Sequence, residues 1–127
     1  MTDRLAIERL LRELYAGRVR GDLDGICRLF CDDAKFQIAG ASRSSPVDVA
    51  AVGIDKFRPL LALMIRAFKL TDQTILAMVI DDFRGVVHWR AKVHSRITGT
   101  VVLTELIDLI EVRNGRIASY IEFFVPR

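Results

Sequence analysis

Apolar residues Ile7, Leu10, Leu11 and Leu14 recur three and four positions apart, and Arg18 continues the same stripe. This spacing predicts an amphipathic helix over residues 3 to 19, with Thr2 as its cap and Gly21 as its end. A second, shorter helix follows from Leu23, Ile26, Cys27 and Phe30, with Asp22 or Asp24 as cap and Asp32-Asp33 closing it. Cys27 and Cys31 then lie at or beside its buried stripe. Lys35 to Ile38 is a short strand candidate, and the polar run from Gly40 to Pro46 is a loop of the kind that often edges a site. Residues 55 to 68 predict a third helix with Phe57, Leu60, Leu61, Met64, Ile65 and Phe68 on one side, and Pro59 is tolerated in or near its first turn.

Beyond Asp72 the period changes from helical to alternating. Strands are expected at Thr74 to Ile80, Gly85 to Arg96, Thr100 to Val112 and Ile117 to Val125. Asp81 to Gly85, Thr98-Gly99 and Asn114-Gly115 are the turns between them, and Asn-Gly is a strong hairpin signal. Three helices followed by four antiparallel strands make an α+β fold, with the helices gathered on one face of a curved, mostly antiparallel sheet. No repeat, linker or low-complexity run interrupts the chain, so residues 1–127 are expected to form a single domain.

Composition narrows the picture. At 127 residues, 51% hydrophobic and 28% charged, the chain is long enough to bury roughly two-thirds of its unfolded surface and too apolar to be disordered. The N-terminal residues carry charges every few positions, so no apolar run suits a signal peptide or a membrane span, and a cytoplasmic location is expected. Cys27 and Cys31 are then reduced core residues, and no metal-ligand spacing accompanies them. A formal charge of +3 is too small to argue for nucleic acid without clustering.

Alternation in the strands separates two faces. Val87, Trp89, Ala91 and Val93 oppose His88, Arg90, Lys92, His94 and Arg96. In the next strand Thr104, Leu106, Asp108 and Ile110 oppose Glu105, Ile107, Leu109 and Glu111. If the basic face meets the glutamate face outside, Asp108 shares the inner face with Trp89. A carboxyl between Leu106 and Ile110 would be desolvated, raising its pKa and leaving it a neutral donor; the alternative is that it is exposed or satisfied by a backbone or hydroxyl partner. Tyr120, Glu122 and Phe124 share one face of the last strand, which would bring Glu122 near Asp108; Glu122 could equally be a rim residue or the ion-pair partner of an Arg. His88 and His94 fall on the outer face among cations, which suits a dimer surface or a solvated charged face better than a metal site.

The order of elements, with Gly21-Asp22-Leu23-Asp24-Gly25-Ile26, Leu29-Phe30, Asp32-Asp33-Ala34, Ile107-Asp108 and Asn114-Gly115-Arg116-Ile117, resembles the nuclear transport factor 2-like superfamily, closest to its ketosteroid isomerases and SnoaL-like polyketide cyclases. The resemblance implies a cystatin-like α+β barrel with a cone-shaped cavity, no cofactor, and a homodimer joined through the outer face of the sheet. It implies a general base at or near Ile38, where an isoleucine cannot take a proton, and an oxyanion tyrosine where Leu14 stands, with Tyr15 about 100° further round the helix. The family's hydrogen-bond-donating aspartate matches Asp108. In ketosteroid isomerases a neutral carboxylic acid and a tyrosine together hold the oxyanion.

Two functions compete on this basis. The first is a cavity enzyme that isomerises, cyclises or hydrates a small apolar carbonyl compound, with Asp108, Glu122 and Tyr15 catalytic and Trp89, Tyr120, Phe124, Phe57, Leu61, Ile38 and Leu14 lining the ligand site. The second is a non-catalytic homodimeric module that binds a small hydrophobic ligand or a protein. The absent base at Ile38 favours the second. Nucleic acid and membrane are not expected partners.

Overall fold

The computed structural model describes residues 3–39 and 49–125. Its elements in chain order are α1 (Arg4–Arg20), α2 (Leu23–Cys27), β1 (Phe30–Ala39), β2 (Val49–Val52), α3 (Ile54–Ala67), β3 (Phe68–Asp81), β4 (Arg84–Ser95), β5 (Val101–Arg113) and β6 (Arg116–Phe124). The strands form one six-stranded sheet in the order β2-β1-β6-β5-β4-β3. All neighbours are antiparallel except β1 and β6, which run parallel, so the sheet is mixed and open at β2 and β3. The parallel pair closes the chain on itself, because β1 comes before the helix α3 and β6 after the whole meander.

Asp3 caps α1, its carboxylate accepting from the Leu5 N–H; the expected cap Thr2 lies outside the described residues, as does the Gly40 to Pro46 loop. Gly21 ends α1 as expected, at φ 70°, and the Asp22 N–H reaches back to the Gly17 carbonyl. Only a residue without Cβ takes that left-handed turn at low cost. Asp22 then caps α2 through the Gly25 N–H.

Three boundaries depart from the sequence reading. The second helix is shorter than its stripe suggested and stops at Cys27, so Phe30 and Cys31 begin β1 instead of continuing a helix, and Asp32 and Asp33 are exposed on that strand. Both cysteines are free and buried. Phe68 does not complete the apolar face of α3: its backbone is extended and opens β3. That strand begins six residues before its expected start because irregular pairing near Asp72 and again before Ala77 breaks the alternation on which a strand is recognised. Val49–Val52 had no strand signal of its own; it is recruited by pairing with Lys35–Ile38.

The helices cover the inner face of the sheet. α1 contacts β3 and α2, and α3 lies against β1 and β3. Ile7, Leu11, Leu14 and Tyr15 of α1 are buried together with Phe30, Phe57, Trp89, Ile110 and Ile117. Outside, Arg90 faces Glu105 and Arg84 faces Glu111 across the β4–β5 ladder, so opposite charges meet on the outer face as the alternation implied, and the His88 ring lies 3.3 Å from Glu105.

Candidate functional site

One row of the sheet holds the chemistry. Val87 of β4 pairs with Asp108 of β5, Asp108 with Glu122 of β6, and Glu122 with Ile38 of β1. Period-two alternation therefore puts both carboxyls and Ile38 on the inner face, side by side beneath the helices. Both acids are buried, Asp108 at 0% exposure and Glu122 at 2%.

Asp108 is held from three elements. Its Oδ2 accepts from the Tyr15 hydroxyl at 2.5 Å, the Trp89 indole N–H at 2.7 Å and the Tyr120 hydroxyl at 2.5 Å. Its Oδ1 has no partner among the described residues. Burial first, and then the charge of Glu122, push its pKa up to about 7, against the opposing pull of Arg18 and the two phenols. Burial also drives the phenols of Tyr15 and Tyr120 well above their ordinary range, Asp108 adding to the effect in each. Both tyrosines therefore stay protonated as donors.

Glu122 is held by Arg18 and Tyr120. Arg18 Nη1 binds Glu122 Oε2 in a close ion pair and also donates to the Tyr120 hydroxyl at 2.7 Å, and that hydroxyl lies 3.0 Å from Glu122 Oε2. The guanidinium carbon stands 4.9 Å over the Trp89 ring, a cation–π contact. Burial opposes the charge on Arg18, but Glu122, Tyr120 and Asp108 raise its pKa well above the ordinary value, so it remains a cation. A pair this enclosed is costly to break from one side: removing one partner typically costs about 3–5 kcal/mol.

A cavity of about 690 Å³ lies between the sheet and α3. Trp89, Phe124, Leu61, Ile38 and Glu122 line it, as do Arg18 and the apolar residues Met64 and Leu106. Asp108, Tyr15 and Tyr120 do not. They are buried and, through Asp108 and Tyr120, hydrogen-bonded to Trp89, Arg18 and Glu122, which do line it. Leu14, Phe57 and Tyr120 border a separate void of about 10 Å³, room for roughly one water, and not the main cavity where they were expected. The structure thus brings the three candidate catalytic residues into one hydrogen-bonded network but gives only Glu122 a place on the cavity wall.

Arg18 was not singled out for chemistry from the sequence, although its signal was present: a charge four residues after Leu14, on the apolar stripe of α1. Tyr15, four after Leu11, belongs to the same broad stripe as Leu14, and its hydroxyl reaches Asp108 without Tyr15 lining the cavity. Among the described residues no group of three or more His, Cys, Asp or Glu side chains is placed to hold a metal ion.

The arrangement joins a carboxylate with a free oxygen, a cation beside it and an apolar chamber. Glu122 Oε2 takes both protein contacts, and among the described residues Oε1 takes none; Arg18 likewise spends only Nη1 on the protein. Such a pair can exchange a proton with a ligand and hold negative charge on it.

No curated protein sequence matches the chain. Solved structures do. A candidate isomerase from Bacillus subtilis superposes at a TM-score of 0.86 with 20% identity, over 99% of this chain and 91% of that one. An LEH-like epoxide hydrolase from M. tuberculosis gives 0.74 and 17%, over 92% and 80%. A protein with a ketosteroid isomerase-like fold from Catenulispora acidiphila, bound to trimethylamine, gives 0.76 and 12%, over 89% and 82%. These likenesses establish the shared fold. The sequence profile of the SnoaL-like domain matches residues 11–120, which include Arg18, Trp89 and Asp108, and so the chain belongs to the SnoaL-like domain family.

Proposed function

We propose that this protein catalyses proton transfer on a small, largely apolar carbonyl compound held in the cavity, an isomerisation or a related cyclisation or hydration. The observation that carries the reading is the buried Arg18–Glu122 pair on the cavity wall, with Glu122 directly paired to Ile38 across the β1–β6 ladder. The carboxylate absent from Ile38 is present one strand away, at the adjoining point of the same inner face. In an isomerisation, Glu122 Oε1 takes a proton from the carbon beside the carbonyl, the electrons move onto the carbonyl oxygen, and the Arg18 guanidinium holds the oxyanion. Glu122 then returns the proton to another carbon, so the reaction balances without a further reactant. Preorganised charge at such an oxygen contributes on the order of 3 kcal/mol to lowering a barrier.

Asp108 is assigned a positioning role in this reading, in place of direct donation to the ligand. It gathers Tyr15, Trp89 and Tyr120 onto one oxygen, and Tyr120 and Trp89 in turn fix Arg18. A homodimer is also proposed, through the outer face, where Val86, Leu109 and Ile121 are ladder neighbours and Leu109 and Phe123 are exposed.

Ile38 favours one other reading, a binding module with the same cavity and no chemistry. A titration of Trp89 fluorescence with naphthols of graded acidity separates the two, since these mimic an enolate. The catalytic reading expects affinity to rise with naphthol acidity and expects Arg18→Gln to flatten that dependence. Affinity indifferent to acidity would favour the binding module.

A further inference from the structure

The charges lining the cavity are unequal. Its acidic lining residue, Glu122, is already neutralised by Arg18 deep in the wall. Three further cations line the same cavity, Arg20, Lys69 and Arg96, and all three are exposed. The backbone gathers them around the C-terminal end of α3. A Cβ on Gly21, next to Arg20, would stand 3.2 Å from Ile65; the Arg96 N–H donates to the Ala67 carbonyl at 2.9 Å; and Lys69 follows Ala67 by two residues. Arg20 approaches Asp22 at 3.6 Å, both side chains being exposed, whereas Lys69 and Arg96 have no ion-pair partner among the described residues. Stabilising the negative end of α3 does not account for all three, because Arg66 already occupies its last turn.

Apart from Thr104 the rest of the lining is apolar, and it includes Leu60, Leu63, Met64, Phe68, Leu70 and Val93 as well as Trp89. We infer that the cavity takes an amphiphilic organic anion, its apolar body inside and its anionic group at the rim formed by Arg20, Lys69 and Arg96. This inference rests on the proposed function only in taking the cavity to be the substrate site; it names the substrate class and is independent of the reaction. A cleft of one charge sign with apolar walls concentrates ligands of the opposite sign at its mouth and orients them head outward. The anionic end at the rim leaves the far end of the molecule at Arg18 and Glu122.

Calorimetric titration with decanoate and decan-1-ol tests this, because the two share a chain and differ in the charged end. Decanoate is expected to bind at least about ten-fold more tightly at roughly 20 mM salt, the preference shrinking several-fold at about 300 mM as the exposed charges are screened. In the Lys69→Gln/Arg96→Gln double variant the preference should fall by a similar factor, with decan-1-ol affinity unchanged. Equal affinity for the two probes, no binding of decanoate, or a preference that the double variant leaves intact would overturn the inference. Glu122→Gln should keep the preference. Wild-type protein that shows the preference but no proton-transfer chemistry would therefore count against the proposed reaction alone, and the reverse pattern against the rim.

Discussion

Asp108 gives the clearest reading at the scale of single residues. Its ordinary carboxylate pKa near 3.8 is raised to about 7 by burial and by Glu122, with Arg18, Tyr15 and Tyr120 pulling the other way and Trp89 donating a further hydrogen bond. Between those two values the folded chain keeps a proton that the unfolded chain has released. Stability from this group is therefore fully present below about pH 4, falls as pH rises through the window, and is lost above about pH 7. Asp108→Asn removes the titration. The melting temperature of wild type relative to that variant should drop on the order of several degrees between about pH 4.5 and 7.5. Parallel curves, followed by circular dichroism, would show that Asp108 does not hold its proton in the fold. The inner-face position of Asp108 was legible from strand alternation combined with the pairing of opposite charges outside, and its nearness to Glu122 from the family resemblance, which set the Tyr120–Phe124 face inward. What alternation cannot convey is depth: three donors from α1, β4 and β6 converge on Asp108 and enclose it, and those contacts depend on how α1 lies across the sheet.

At the scale of elements, the contact between α1 and α2 decides where Arg18 sits. Gly17 is buried one residue before it, and a Cβ there would meet the Ile26 side chain at 3.0 Å. Two effects of opposite sign follow from a substitution. Ala gains roughly 1 kcal/mol of helix propensity over Gly, set against the shift of a few tenths of an ångström that its Cβ forces on Cγ1 of the buried, β-branched Ile26. Val instead forces α1 away from α2 and is expected to cost on the order of 1–3 kcal/mol. Urea denaturation of Gly17→Ala and Gly17→Val measures both; a Val variant as stable as wild type would mean that the two helices are not tightly packed there. Element boundaries were read best where local chemistry imposes them. Gly21 and Asn114-Gly115 mark a helix end and a hairpin by backbone conformation, at φ 70°, 53° and 76°. Boundaries set by pairing were not legible: the start of β1 at Phe30 depends on Ile117 beside it, and β2 exists only against β1.

At the scale of the whole molecule, the sheet order explains how a missing base can be replaced. Because β6 returns parallel beside β1, position 122 becomes the direct neighbour of position 38, although the two are far apart along the chain. That adjacency was invisible to a pass along the chain, which paired only consecutive strands, and it is why Ile38 suggested a lost function when the inner face retains a carboxylate. The central claim is that Glu122 moves protons for a ligand in this cavity. Deuterium uptake from D2O into the carbons beside the carbonyl of small cyclic and β,γ-unsaturated ketones, followed by NMR, tests it most directly. Wild-type protein is expected to accelerate the exchange, and folded Glu122→Gln to lose about 10²–10⁴-fold of that rate, the range for removing a general base. Exchange at the same rate in both proteins, or none with the wild type across the series, would contradict the claim.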